Sequence, residues 1–86
     1  MPSILITGGA GFIGVNAAVH FSELGWDVHV LDNLSRRGTE KNLAWLHRQY
    51  QDVSFHKIDI RCFEDLAAVI GRLRPSMVLH LSLIHI

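Results

Sequence analysis

The chain has 86 residues, 49% of them hydrophobic, with eight basic and eight acidic side chains and a formal net charge of zero. That length holds one hydrophobic core at most, and the composition belongs to a packed globular unit rather than to a disordered segment or a polyanion-binding surface. No basic patch points to nucleic acid, and no apolar run approaches the roughly 20 residues needed to span a membrane.

Met1, Pro2 and Ser3 lead into apolar sequence with no charged segment ahead of it, which is not the pattern of a signal peptide. The single cysteine, Cys62, has no partner for an internal disulfide and no neighbour at metal-ligand spacing. It fits a reducing compartment and is expected to be a small buried filler. A soluble cytoplasmic protein is the expectation.

Residues 4–7 are rich in β-branched side chains and apolar on both faces, as a central parallel strand covered by helices should be. The run breaks into Gly8, Gly9, Ala10 and Gly11 and resumes as an amphipathic segment, reading as strand, tight turn and helix. Gly8, Gly11 and Gly14 fall at a three-residue spacing. If a dinucleotide lies across the turn, Gly8 lets the chain reverse and Gly11 brings bare backbone up to the pyrophosphate. Gly14 then lets the new helix lie close on its strand. The helix start aims free N–H groups and a positive dipole end at the phosphates. A flexible loop would carry the same glycines, so the rest of the chain has to decide.

Ile13, Ala17, Phe21 and Leu24 recur at helical spacing and form the expected buried face, Gly25 is placed to end the helix as a left-handed cap, and Trp26 packs at that turn. Residues 28–31 give a second strand ending at Asp32 and Asn33, which completes a βαβ unit with a right-handed crossover. Asp32 stands at the carboxyl end of this strand, 18 residues after Gly14, where dinucleotide-binding units place a ribose-binding acid at roughly 20. A carboxylate there accepts hydrogen bonds from both ribose hydroxyls and repels a 2′-phosphate, so NAD is expected over NADP. The plainer reading is a solvated aspartate at a strand end.

Residues 34–41 are polar and read as a loop containing Ser35, Arg36, Arg37, Gly38 and Thr39. The two arginines lie either beside the adenosine or on open surface. A helix starting between Thr39 and Asn42 puts Leu43, Leu46 and Tyr50 on one face, with Trp45 and His47 elsewhere, and ends near Gln51. Residues 53–60 read as a third strand closed by Asp59 and Ile60, at the same sheet edge as Asp32 and Gly8. There Asp59 and the backbone of Ile60 meet the adenine, or Asp59 serves as a capping carboxylate for the next helix.

From Phe63 onward, Leu66, Val69, Ile70 and Leu73 make an apolar stripe, with Glu64 and Asp65 in the first turn and Arg72 and Arg74 near the last. Pro75 ends the helix, and residues 76–81 form a fourth strand on the far side of the first. The expected fold class is α/β, a partial Rossmann fold with a parallel sheet of four strands in order 3-2-1-4 and helices on both faces. The cofactor crevice falls between strands one and four, where the winding reverses. The six histidines, at positions 20, 29, 47, 56, 80 and 85, show neither helical pairing with a glutamate nor a Cys/His knuckle, so no metal is expected and all six are read as structural or surface groups. The glycine turn also lacks the Lys-Ser/Thr pair of a P-loop, which argues against nucleotide-triphosphate hydrolysis.

With these pieces in place, Ile4-Leu5-Ile6-Thr7-Gly8-Gly9-Ala10-Gly11-Phe12-Ile13-Gly14 resembles the opening of the extended short-chain dehydrogenase/reductase family, the NAD-dependent nucleoside-diphosphate-sugar epimerases and dehydratases. Asp32-Asn33-Leu34 and Asp59-Ile60-Arg61 are similar to that family's next two landmarks. Within it, the loop from Asp32 through Leu43 looks most like the CDP-paratose 2-epimerase (CDP-tyvelose epimerase) branch. The resemblance implies that Gly8, Gly11, Phe12, Ile13 and Gly14 hold the pyrophosphate of NAD, Asp32 holds the adenosine ribose, and Asn33, Ser35, Arg36, Asp59 and Ile60 surround the adenosine. It also implies a nucleotide-sugar substrate and a homo-oligomeric full-length enzyme, with no nucleic acid or membrane partner. In such enzymes NAD⁺ takes a hydride from a sugar carbon and returns it, with a Tyr-x-x-x-Lys pair as acid and base. The only tyrosine is Tyr50 and the residue four later is Ser54, so the pair is absent and no catalytic residue is assigned.

After His80 the family pattern His-Leu-Ala-Ala gives way to Leu81-Ser82-Leu83-Ile84-His85-Ile86, which looks like a translated sequencing-adaptor tail. The expected organisation is residues 1–80 as the N-terminal part of an NAD(P)-binding Rossmann domain and residues 81–86 as a foreign tail of a truncated gene model. On that expectation the fourth strand is an open edge, and the chain is inactive and aggregation-prone alone. Two other readings stay open: a non-catalytic dinucleotide-sensing module, and a related sugar-nucleotide reductase or decarboxylase.

Overall fold

The computed structural model describes residues 2–8, 10–35 and 38–81. Strands and helices alternate as β1 (Ser3–Thr7), α1 (Phe12–Glu23), β2 (Asp27–Asp32), α2 (Thr39–Gln49), β3 (Ser54–Lys57), α3 (Phe63–Leu73) and β4 (Met77–His80). The strands form one parallel sheet in the expected order, β3-β2-β1-β4. Residues 82–86 of the expected foreign tail lie outside the described residues, while Leu81 donates its N–H to the Thr7 carbonyl at 3.0 Å.

Two-sided burial explains the unbroken apolar run of β1. Ile4 and Ile6 pack with Val15, Ala18, Val28, Val30, Leu46 and Val53 under α1 and α2. Leu5, on the opposite pleat, packs with Leu31 and Val69 under α3, with Leu66, Ile70 and Leu73 around them as the stripe requires. All five parallel-strand partners of β1 on β2 are in register from Ser3 with Asp27 to Thr7 with Leu31.

The buried face of α1 departs from the expected one. Gly14, Val15 and Ala18 are buried, whereas Ile13 is 46% and Leu24 59% exposed. Small residues in the middle of the helix let its axis approach the sheet, while Ile13 stands in the first turn and Leu24 beyond the last. Ala17 and Phe21 do pack against the core. The helix closes as a Schellman motif: Trp26 N–H donates to Phe21 C=O and Gly25 N–H to Ser22 C=O, both at 3.0 Å. Gly25 has φ +83°, and the Trp26 and Phe21 rings meet at 4.9 Å.

Two further expectations are corrected. β3 covers only Ser54–Lys57, because the chain turns at Asp59: Cys62 N–H donates to Asp59 C=O at 2.8 Å, leaving Asp59 and Ile60 beyond the strand. Cys62 is exposed rather than a buried filler; it is the N-cap residue of α3, and a helix start at the sheet edge faces solvent.

Candidate functional site

In a parallel sheet every strand delivers its carboxyl end to one edge. β1 runs there into Gly8, whose φ of +72° is readily adopted only by glycine. Gly8 N–H donates to Leu31 C=O at 2.8 Å, and Gly11 N–H to Gly8 C=O at 3.3 Å. The first bond of the α1 ladder runs from Val15 N–H to Gly11 C=O at 2.9 Å, which leaves the N–H groups of Phe12, Ile13 and Gly14 ahead of it. No acidic residue of the helix itself stands in that first turn, so its positive dipole end is left to groups from outside the helix. The Phe12 side chain is 80% exposed, and Gly14 is buried against the sheet.

Asp32 ties this turn to the end of β2. Its carboxylate is buried, with Oδ2 accepting from Ala10 N–H at 3.1 Å and Oδ1 accepting from Leu34 N–H at 2.8 Å. A carboxylate offers about four acceptor positions. Among the described residues two of them hold backbone and the others are open to hydroxyl donors; with Asp32 only 9% exposed, this rules out the reading of Asp32 as a freely solvated strand-end residue.

The neighbouring expected residues converge on the same edge. Asn33 Oδ1 accepts from Ser35 N–H at 3.0 Å. Ile58 N–H donates to Asp32 C=O at 3.1 Å, drawing the end of β3 to the end of β2. Asp59 is not the cap of α3. It closes a turn on Arg61, accepting from its N–H at 2.9 Å and from its guanidinium at 2.6–3.1 Å. The Arg61 guanidinium, helped by its N–H, holds the Asp59 carboxyl down at about 2. Arg61 is 85% exposed, so this pair adds little stability. Ile60 packs against the α3-side core, and Arg36 and Arg37 lie outside the described residues.

Two contacts at this edge were not anticipated from the sequence. Thr7 Oγ1 and His80 Nδ1 lie 2.6 Å apart at paired positions of β1 and β4, across the point where the winding reverses. Asn42 Nδ2 donates to Ala10 C=O at 3.0 Å. Thr7 directly before Gly8 was the available signal for the first; a polar residue one turn into a helix signals nothing by itself for the second. Tyr50 lies at the opposite edge, where its hydroxyl donates to Glu23 Oε1 at 2.6 Å, a bond that pushes its pKa up. A groove of about 860 Å³ opens at that edge, lined by Trp26, Asp27, Arg48, Tyr50 and Asp52 among others, and holds none of the expected site residues. Among the described residues no group of histidine, cysteine, aspartate and glutamate side chains could hold a metal, and no helix is long and apolar enough to cross a membrane.

The free N–H groups of the first α1 turn and the spare acceptors of Asp32 fit a dinucleotide, anion at one end and ribose diol at the other. Known proteins similar to this chain include sugar-nucleotide epimerases and dehydratases. The chain is 40% identical over 79 residues to CDP-paratose 2-epimerase of Salmonella typhi, covering 92% of this chain and 23% of that protein. A UDP-glucose-4-epimerase from Stenotrophomonas maltophila, solved with bound NAD and formylated UDP-arabinopyranose, superposes with TM-score 0.86 and 28% identity, covering 100% of this chain and 26% of that one. The dTDP-glucose 4,6-dehydratase of Bacillus anthracis, solved with NAD, superposes with TM-score 0.77 and 28% identity, covering 95% and 27%. The chain thus spans about a quarter of the length of these relatives. The family model described as GDP-mannose 4,6 dehydratase matches residues 5–84. The chain therefore belongs to that family and corresponds to the N-terminal region of its NAD-dependent sugar-nucleotide epimerases and dehydratases.

Proposed function

We propose that this chain is the cofactor-holding part of a sugar-nucleotide epimerase or dehydratase and binds NAD at the carboxyl edge of its sheet. The observation that carries the reading is Asp32: a buried carboxylate fastened to the backbone of both the glycine turn and the following loop, with acceptor capacity to spare. Gly8 and Gly11 shape the turn, and the N–H groups of Phe12, Ile13 and Gly14 take the pyrophosphate. Asp32 takes the adenosine ribose, and its charge disfavours the 2′-phosphate of NADP. Asn33, Ser35, Arg36, Asp59 and Ile60 surround the adenosine.

Bound NAD⁺ supplies a hydride acceptor and donor at a sugar carbon. The chain's own residues bind and orient the dinucleotide, and none of them is assigned the proton transfer. Tyr50 is spoken for by Glu23 at the far edge, and its raised pKa is the wrong direction for a proton carrier near neutral pH. A nucleoside-diphosphate sugar, a homo-oligomeric assembly and a cytoplasmic setting complete the proposal for the whole protein. The Tyr50 placement equally suits a dinucleotide-sensing module without chemistry.

Calorimetric titration with NAD⁺ and NADP⁺ tests the reading. Saturable NAD⁺ binding that exceeds NADP⁺ binding is the expected result, and equal or tighter NADP⁺ binding would contradict the role of Asp32.

A further inference from the structure

Ala10 is wholly buried at the tip of the glycine turn, and side chains take both of its backbone polar groups. Its N–H donates to Asp32 Oδ2 at 3.1 Å from the end of β2. Its C=O accepts from Asn42 Nδ2 at 3.0 Å from α2. The orientation of the Asn42 amide follows from its partner, since a carbonyl can only accept. Asn42 is itself fixed, because its N–H closes the first bond of α2 onto Gly38 C=O at 3.1 Å.

We propose that Asn42 is a positioning residue for the dinucleotide, a role that rests on the NAD reading above. The Asn42 amide and the Asp32 carboxylate hold Ala10 from two sides, one on its C=O and the other on its N–H, and so set the two peptide planes that meet at its Cα. Ala10 lies between Gly8, where the chain reverses, and Gly11, the N-cap of α1. Fixing those planes fixes the direction of the Phe12, Ile13 and Gly14 N–H groups. It also keeps Asp32 Oδ2 aligned on Ala10 N–H, so the remaining acceptor positions of Asp32 hold one orientation. The loop between β2 and α2 gains two anchors from the same device, Leu34 N–H on Asp32 Oδ1 at 2.8 Å and Asn42 on the turn. Preorganisation of this kind raises affinity without a direct contact to the ligand.

The test uses Asn42→Asp, nearly isosteric but with no donor for the Ala10 carbonyl, beside Asn42→Ala. Val53→Ala serves as a control that trims the same core at the opposite edge. NAD⁺ affinity is read by calorimetry, stability by thermal unfolding, and the Ala10 N–H by amide hydrogen exchange. We expect both Asn42 variants to bind NAD⁺ roughly tenfold more weakly, the upper end of what loss of one part-buried hydrogen bond produces. Ala10 N–H should exchange faster in both. Val53→Ala should lose stability while keeping its NAD⁺ affinity and Ala10 protection. Unchanged affinity in both Asn42 variants, or an equal loss in Val53→Ala, overturns the positioning role. If the unaltered chain does not bind NAD⁺, the NAD reading and the cofactor role of Asn42 fail together. Faster Ala10 exchange would then still identify the clamp, and unchanged exchange would refute it as well.

Discussion

His29 Nδ1 lies 3.2 Å from His56 Nε2, across the β2 and β3 ladder, with the rings stacked at 5.4 Å and 29°. The other ring nitrogen of His29 is 3.1 Å from Asp27 Oδ2. Because the carboxylate takes the His29 Nε2–H, His29 Nδ1 of the neutral ring is an acceptor and His56 Nε2–H donates to it. Protonating both rings would set two N–H groups against each other. Burial, then the proximity of His29 and of Arg72 on α3, hold the pKa of His56 below its usual value.

The sign of the resulting pH dependence follows. Below the ordinary histidine pKa of about 6.5 the unfolded chain binds a proton that folded His56 resists, so stability rises with pH through that window. Thermal midpoints should fall as the pH drops from about 6.5 and level off once folded His56 titrates. His56→Phe should flatten that slope; a slope unchanged in His56→Phe would place its origin elsewhere.

Asp32→Ala should weaken NAD⁺ binding and also destabilise the fold. It strands the buried Ala10 N–H, at about 1–3 kcal/mol, and releases the part-buried Leu34 N–H, which water can partly satisfy at a smaller cost. Asp32→Asn keeps one acceptor and should cost less stability while relaxing the discrimination against NADP⁺. Paired denaturation and titration of the two variants checks both effects.

Thr7→Val removes the hydroxyl that meets His80 but preserves volume and branching in a position only 1% exposed. The expected loss is about 1 kcal/mol in urea denaturation. Thr7→Ser should retain most of the stability that Thr7→Val loses.

Among the described residues β4 pairs with β1 alone, and Met77 and Val78 are each 46% exposed. An apolar parallel edge invites pairing with another chain. Val78→Lys should shift sedimentation profiles toward monomer with little change in thermal midpoint, and an unaltered distribution would remove β4 as the contact.

Gly25→Ala isolates backbone strain, since no heavy atom beyond its two chain neighbours lies within 4 Å of the added Cβ while φ stays at +83°. The left-handed conformation should cost about 1–2 kcal/mol by denaturation.

Much of the architecture is legible in residue order because it depends on local periodicity. The two-sided apolar run of β1, the glycine spacing after it, Gly25 and the stripe of α3 each follow from short-range sterics and burial. They suffice for the sheet order, since parallel strands joined by helices have few ways to wind. The α1 face is less legible. Ile13 and Leu24 fit the helical period as well as Val15 and Ala18 do, and only the position of the sheet shows which turns lie over it.

By itself the sequence determined an α/β unit with a glycine turn between its first strand and first helix and an acid at the end of the second strand. The tertiary structure decided what that acid holds, through contacts between residues far apart in the chain. Asp32 meets Ala10 across 22 positions, Asn42 meets Ala10 across 32, His29 meets His56 across 27, and Thr7 meets His80 across 73. No periodic signal encodes such pairings, because they arise only when strands and helices distant in the chain pack side by side in the fold.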